Sequence, residues 1–80
     1  MRFYVARLVI AGGTVRRARI VGRSEDLREA YRLYEDLGTD EFSGKALLQL
    51  GEDWSFALLR VAAAHPAAQT AIRSLTWCSP

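Results

Sequence analysis

The stretch SEDLREAYRLYEDLG, residues 24–38, has the clearest helical pattern in the chain, and the rest of the predicted fold packs around it. Its apolar residues recur at helical spacing, on one side of the predicted helix: Leu27, Ala30, Tyr31, Tyr34 and Leu37. Ser24 is the predicted N-cap, since its hydroxyl can accept a hydrogen bond from an unpaired backbone amide, and Gly38 is predicted to end the helix in a left-handed conformation. The sequence therefore predicts one amphipathic helix with an apolar face that packs against the rest of the protein.

Residues 2–23, which precede this helix, predict a β-hairpin, because both halves are rich in β-branched and aromatic residues and flank Gly12-Gly13. A strict two-residue turn would pair odd with even positions and place arginines among apolar side chains. We expect one more residue in the loop, which keeps the charges in water. One face then carries Tyr4, Ala6, Leu8, Ile10, Ala18 and Ile20. The other carries Arg7, Arg17, Arg19 and Arg23 among Phe3, Val5, Val9, Val15 and Val21.

The second half of the chain predicts a second hairpin and a short helix. Residues 45–50 and 54–62 are apolar runs on either side of a polar turn at 51–53. A helix over residues 54–64 is the alternative, since Asp53 is a suitable N-cap and the residues that follow favour helix. Pro66 suits the first turn of a helix that reaches Leu75, with Ala68, Ile72 and Leu75 on its inner side, and residues 76–80 are expected to form a tail.

The predicted order is thus ββαββα, an α+β fold in a single small domain that spans residues 1–80. We expect a mostly antiparallel sheet of about four strands, because a hairpin alone is only marginally stable in water. One amphipathic helix packs on one face of this sheet, and the second helix lies at its edge.

The charges are unevenly distributed, although the net charge is only +2. Residues 1–24 hold six arginines and no acid, whereas residues 25–53 hold nine acids and three bases. The strongest interaction signal is therefore the basic face of the first hairpin, with four candidate partner-binding residues: Arg7, Arg17, Arg19 and Arg23. Such a face suits a protein or ribonucleoprotein partner with an acidic surface, or the acidic helix of a second copy in a homodimer. Nucleic acid is the alternative partner, with Phe3 or Tyr4 placed to stack on a base.

The sequence contains no motif that points to catalysis, a cofactor or a metal. His65 is the only histidine and adjoins Pro66 at a predicted helix start, where a capping or exposed role is expected. The acids lack the alternating spacing of a calcium loop, and the segment from Gly38 to Lys45 lacks the spacing of a phosphate loop. We therefore expect a non-enzymatic protein with no cofactor and no metal site.

The compartment follows from the single cysteine and from the hydropathy of the chain. Cys78 has no partner for an internal disulfide, which suits a reducing compartment, although it can form an intermolecular disulfide between two copies. Since no segment reaches the ~18 apolar residues of a membrane helix and no signal-peptide cleavage site is found, a cytoplasmic protein is expected.

The expected function is that of a small non-enzymatic binding protein that occupies the surface of a macromolecular partner. Small size, split charge and the lack of catalytic groups are typical of phage or mobile-element inhibitors of host defence, of which the anti-CRISPR proteins are one type. The alternative function is a nucleic-acid-binding module that uses the basic N-terminal hairpin.

Overall fold

A computed structural model describes residues 2–75 and 77. Its elements, in chain order, are β1 (Arg2–Ala11), β2 (Thr14–Ser24), α1 (Leu27–Asp36), β3 (Ser43–Leu50), β4 (Phe56–Ala63) and α2 (Pro66–Arg73). The strands form one antiparallel sheet in the order β2-β1-β3-β4. The α+β fold and the ββαββα order are confirmed, and the alternative helix over residues 54–64 is wrong. Of the predicted tail, residues 76 and 78–80 lie outside the described part, while Trp77 packs against the α2 side of the core.

The two helices lie on opposite faces of the sheet, which we name the α1 face and the α2 face. On the α1 face, Ala30 and Tyr34 pack against β1 and β3. On the α2 face, Ala68 and Ile72 complete a larger cluster around Leu8 and its neighbours. The prediction that the second helix lies at the sheet edge is wrong, because both faces of the two central strands are apolar and each needs a cover.

In the middle of the first hairpin the strands pair odd with odd positions, as predicted, but the turn that joins them differs from the predicted one. Gly12 and Gly13 form a two-residue turn with φ values of 60° and 75°, so the expected longer loop is wrong. A register shift that leaves Arg16 unpaired then restores the pairing of odd with odd positions. Arg17 lies opposite Val9, so the two share one face of the hairpin, as predicted.

A second register shift on β2, at Val21, changes the faces again. Arg23 lies opposite Tyr4 and therefore on the α2 face, where we had not placed it. Val15, ahead of the first shift, lies opposite Ile10 and also belongs to the α2 face. The face predictions for Arg23 and Val15 are wrong, because each bulge moves the residues beyond it to the other side of the strand.

Both ends of α1 differ from the predicted ones. Asp26 is the N-cap and its carboxylate accepts a hydrogen bond from the Arg28 amide, while the Ser24 hydroxyl accepts from the Asp26 amide. Gly38 does not adopt a positive φ. The C-terminal carbonyls of α1 are instead bonded by the side chain of Lys45 on β3, a long-range contact that the local sequence does not reveal.

Candidate partner-binding surface

Three arginines that the sequence singled out lie together on the α1 face, beyond the C-terminal end of α1. Arg7 on β1 lies directly opposite Arg19 on β2 and has Lys45 on its other side, on β3. The next row toward the hairpin turn places Arg17 opposite Val9. We call Arg7, Arg17, Arg19 and Val9 the arginine surface.

The arginine surface is open because α1 covers only the first half of β1. Phe3 and Val5 are buried under α1, whereas Arg7 is exposed and Val9 keeps 44% of its surface accessible. The helix ends beside the row that contains Arg7, since Lys45 in that row bonds the helix end. The fold therefore leaves apolar surface and guanidinium groups exposed side by side.

Lys45 lies on the same face as the arginines, but its ammonium group is already bonded within the protein. Its ammonium group donates hydrogen bonds of 2.8 Å to the carbonyl of Tyr34 and 2.9 Å to that of Leu37. It also lies 4.4 Å from the centre of the Tyr34 ring, a cation–π distance. Lys45 thus stabilises the negative end of α1 and belongs to the fold.

The arginines have no comparable partners. Within residues 2–75 and 77, no hydrogen bond or ion pair engages the guanidinium groups of Arg7, Arg17 or Arg19. Arg7 acts at longer range on the Asp40 carboxylate. The pKa of Asp40 lies below its ordinary value chiefly because the Phe42 amide and the Ser43 hydroxyl donate hydrogen bonds to it, with a smaller effect of Arg7. Since like charges directly opposite one another destabilise a sheet, the pairing of Arg7 with Arg19 costs stability.

The other predicted site residues lie elsewhere. Arg23 lines a small cleft on the far side of the sheet with Arg2, Ser24 and Glu25, so it is not part of the arginine surface. Cys78 lies outside the described residues.

The two aromatic residues proposed to stack on a base are not available for stacking. Phe3 is 7% and Tyr4 is 5% exposed, because each packs into the core on its own face of the sheet. The predicted base-stacking role of Phe3 or Tyr4 is therefore wrong.

Besides the role of Lys45, sequence reasoning missed Arg60, another cation of the α1 face. Arg60 on β4 lies opposite Leu47, and its guanidinium group is 5.2 Å from the centre of the Tyr31 ring. Its place depends on the pairing of β3 with β4 and on a register shift at Leu59. The available signal was that Arg60 is the one charged residue of an apolar strand.

Comparisons of the chain with protein-family models, with curated proteins and with solved structures find no significant match. Across the described ranges 2–75 and 77, neither helix is long and apolar enough to cross a membrane. In the same part of the chain, no three His, Cys, Asp or Glu side chains converge in a way that could hold a metal ion. The geometry of the α1 face therefore remains the main indication of function.

Proposed function

We propose that this protein is a non-enzymatic binding protein that occupies an acidic surface of a macromolecular partner through the arginine surface. The observation that supports the proposal is the position of Arg7. It is exposed on a central strand, directly opposite Arg19, and within the described residues it forms no ion pair, only a weaker long-range interaction with Asp40. A sequence selected for stability alone gains nothing from this arrangement.

Protection of the sheet edge explains only part of the pattern. Charged side chains on an edge strand prevent pairing with other chains, and β2 is an edge strand with arginines along it. This accounts for Arg17 and Arg19 without any partner. Arg7 is on β1, which is paired on both sides, so edge protection does not require a charge there. Partner binding accounts for all three arginines.

A protein or ribonucleoprotein partner fits the surface better than bare nucleic acid does. Val9 is exposed between the arginines and offers an apolar contact, and guanidinium groups bind carboxylates in a forked geometry while shedding water easily. The aromatic residues nearest the hairpin core are buried and cannot stack on bases. An inhibitor of host defence, of the anti-CRISPR type, is one kind of protein that would act by such surface occupation.

One feature at the opposite end of the sheet supports the alternative function of nucleic-acid binding. Trp54 is 68% exposed in the β3–β4 turn and shares a shallow cleft with Arg2, which also lines the cleft of Arg23. An exposed aromatic ring beside an arginine is a combination that binds single strands. Binding through this end would fall steeply with salt and would depend on Trp54, but not on Arg17.

The test uses two charge reversals on the same strand, Arg17→Glu and the matched control Arg23→Glu. The tagged chain and both variants are used to recover partners from a lysate of the source cells, with and without nuclease. We expect a stoichiometric protein that Arg17→Glu loses and Arg23→Glu retains, because only Arg17 lies on the arginine surface. Recovery of no stoichiometric partner, or equal loss in both variants, would contradict the proposal. Recovery that disappears with nuclease would support the alternative.

The proposed compartment is the cytoplasm, because a single cysteine suits a reducing environment. A homodimer linked through Cys78 is the related proposal for the oligomeric state. Mass measurement with and without reductant tests it, and a monomer mass under both conditions would rule out the link.

A further inference from the structure

An open groove runs between α1 and the edge strand β4, on the part of the α1 face that α1 does not cover. It has a volume of about 770 Å³ and contains apolar side chains from both walls. Leu27 on α1 is 47% exposed and Leu59 on β4 is 40% exposed, and Leu47 on β3 also lines the groove. The groove continues past Leu59 and Arg60 toward Arg73. An open groove between two elements suits a segment of polypeptide better than a compact small molecule, which usually binds in a pocket that buries most of its surface.

The exposed leucines are not explained by the fold of the chain itself. Leu27 belongs to the apolar stripe of α1, but the sheet buries only Ala30 and Tyr34 of that helix. Leu59 is at the register shift of β4, so its side chain is left out of the regular pairing. Two large apolar side chains from different elements thus line one groove without a cover, as in binding surfaces.

The charges in the groove favour an acidic occupant, because two arginines line it and its one acid, Asp26, already caps α1. Asp26 accepts the capping hydrogen bond from the Arg28 amide. Further along, the pKa of Tyr31 lies above its ordinary value, chiefly because of its interaction with the Glu35 carboxylate. Within the described chain, neither the Arg28 nor the Arg60 guanidinium group has a carboxylate partner, and Arg60 lies over the Tyr31 ring.

We propose that the groove between α1 and β4 binds a short peptide segment of a partner protein that carries a large apolar side chain next to acidic residues. The apolar side chain packs between Leu27 and Leu59 above Leu47, and the carboxylates pair with Arg60 and Arg28. Since guanidinium groups form forked hydrogen bonds with carboxylates, these contacts supply specificity beside the apolar anchor. This site is separate from the arginine surface and does not depend on the function proposed for it.

The probe is a display library of random short peptides, selected on the immobilised full chain. The best peptide is then synthesised with a fluorescent label and measured by anisotropy. We expect selected peptides enriched in Asp or Glu beside Leu, Phe or Trp. Leu59→Ser and Arg60→Glu should each raise the dissociation constant at least about tenfold, as expected for central contacts of an interface.

Two matched controls separate the groove from general effects. Leu33→Ser removes an equally exposed leucine from another position on α1, and Arg32→Glu makes the same charge change on α1 outside the groove. Neither should change the dissociation constant. Circular dichroism checks that each variant folds. We expect folded variants, because Leu59 and Arg60 are exposed. Leu27→Ser provides a further groove variant if Leu59→Ser or Arg60→Glu fails to fold.

The proposal is wrong if selection yields no enriched peptide, if the enriched peptides lack acidic residues, or if binding is insensitive to Leu59→Ser and Arg60→Glu. It is also wrong if sedimentation detects a dimer that Leu59→Ser dissociates, because a second copy would then be the occupant. Loss of partner binding at the arginine surface alone leaves peptide binding in the groove intact, so failures of the two proposals can be told apart.

Discussion

Replacing Lys45 by methionine should lower the free energy of unfolding, although it also removes a positive charge that repels the neighbouring arginines. The change removes two hydrogen bonds, of 2.8 Å and 2.9 Å, from the ammonium group to the carbonyls of Tyr34 and Leu37. Hydrogen bonds to charged groups contribute about 1.5 kcal/mol or more each, which makes a gross loss of about 3 kcal/mol. Relief of repulsion against Arg7, its cross-strand neighbour, returns about 0.5 kcal/mol, and the methionine keeps part of the packing on Tyr34. We expect a net loss of about 2 to 2.5 kcal/mol.

The assay is urea unfolding followed by circular dichroism, with Arg7→Met as the matched control. A domain of this size has an m-value of about 1 kcal/mol/M, so Lys45→Met should lower the unfolding midpoint by about 2 M. Arg7→Met removes the adjacent cation, which makes no contact with the helix end, and should leave the midpoint unchanged or raise it by about 0.5 M. Equal shifts in the two variants would refute the division between a structural lysine and free arginines, as would a loss below about 0.5 kcal/mol for Lys45→Met.

Three further predictions concern the rest of the fold. Gly44→Ala should cost about 1–3 kcal/mol in thermal unfolding, because its new methyl group would lie 2.7 Å from Ile72 Cδ1 and 3.1 Å from the carbonyl oxygen of Ala62; a melting temperature equal to that of the parent would contradict this contact. Trp54→Gly should stabilise the chain by about 1 kcal/mol, since Trp54 has a φ of 65° that costs little only for glycine, and a lower unfolding midpoint would show that the tryptophan contributes more than its strain. The pKa of Asp40 lies below its ordinary value of 3.8 in the folded state, so its contribution to stability is present above that value and is lost as the pH falls through the folded pKa. In urea titrations between neutral and acid pH, Asp40→Asn should remove this part of the pH dependence, and an unchanged profile would count against it.

The element order and the grouping of three arginines could be predicted because both depend on short-range periodicity. The helical spacing from Leu27 to Leu37 and the apolar alternation of the first hairpin are visible in the sequence alone. Requiring charge to remain in water was enough to place Arg7, Arg17 and Arg19 together.

What could not be predicted depends on contacts between distant parts of the chain. The bulge at Val21 moves Arg23 to the other face, and no local pattern marks its position. The side chain of Lys45, on the strand that follows α1, bonds the carbonyls at the C-terminal end of the helix. The sequence had predicted instead that Gly38 ends the helix in a left-handed conformation, which it does not adopt. The groove beside β4 exists because α1 packs mainly on the other three strands, which only the assembled sheet determines.

Whether Arg7 binds the partner can be measured by calorimetric titration of the recovered partner with the Arg7→Glu variant. Glutamate at this position would lie between Arg19 and Lys45, so the fold should be retained or stabilised by about 0.5 kcal/mol, as a parallel urea titration would verify. We expect partner affinity to fall at least about tenfold in this folded variant. Unchanged affinity would contradict the claim that Arg7 is kept on the central strand to bind a partner.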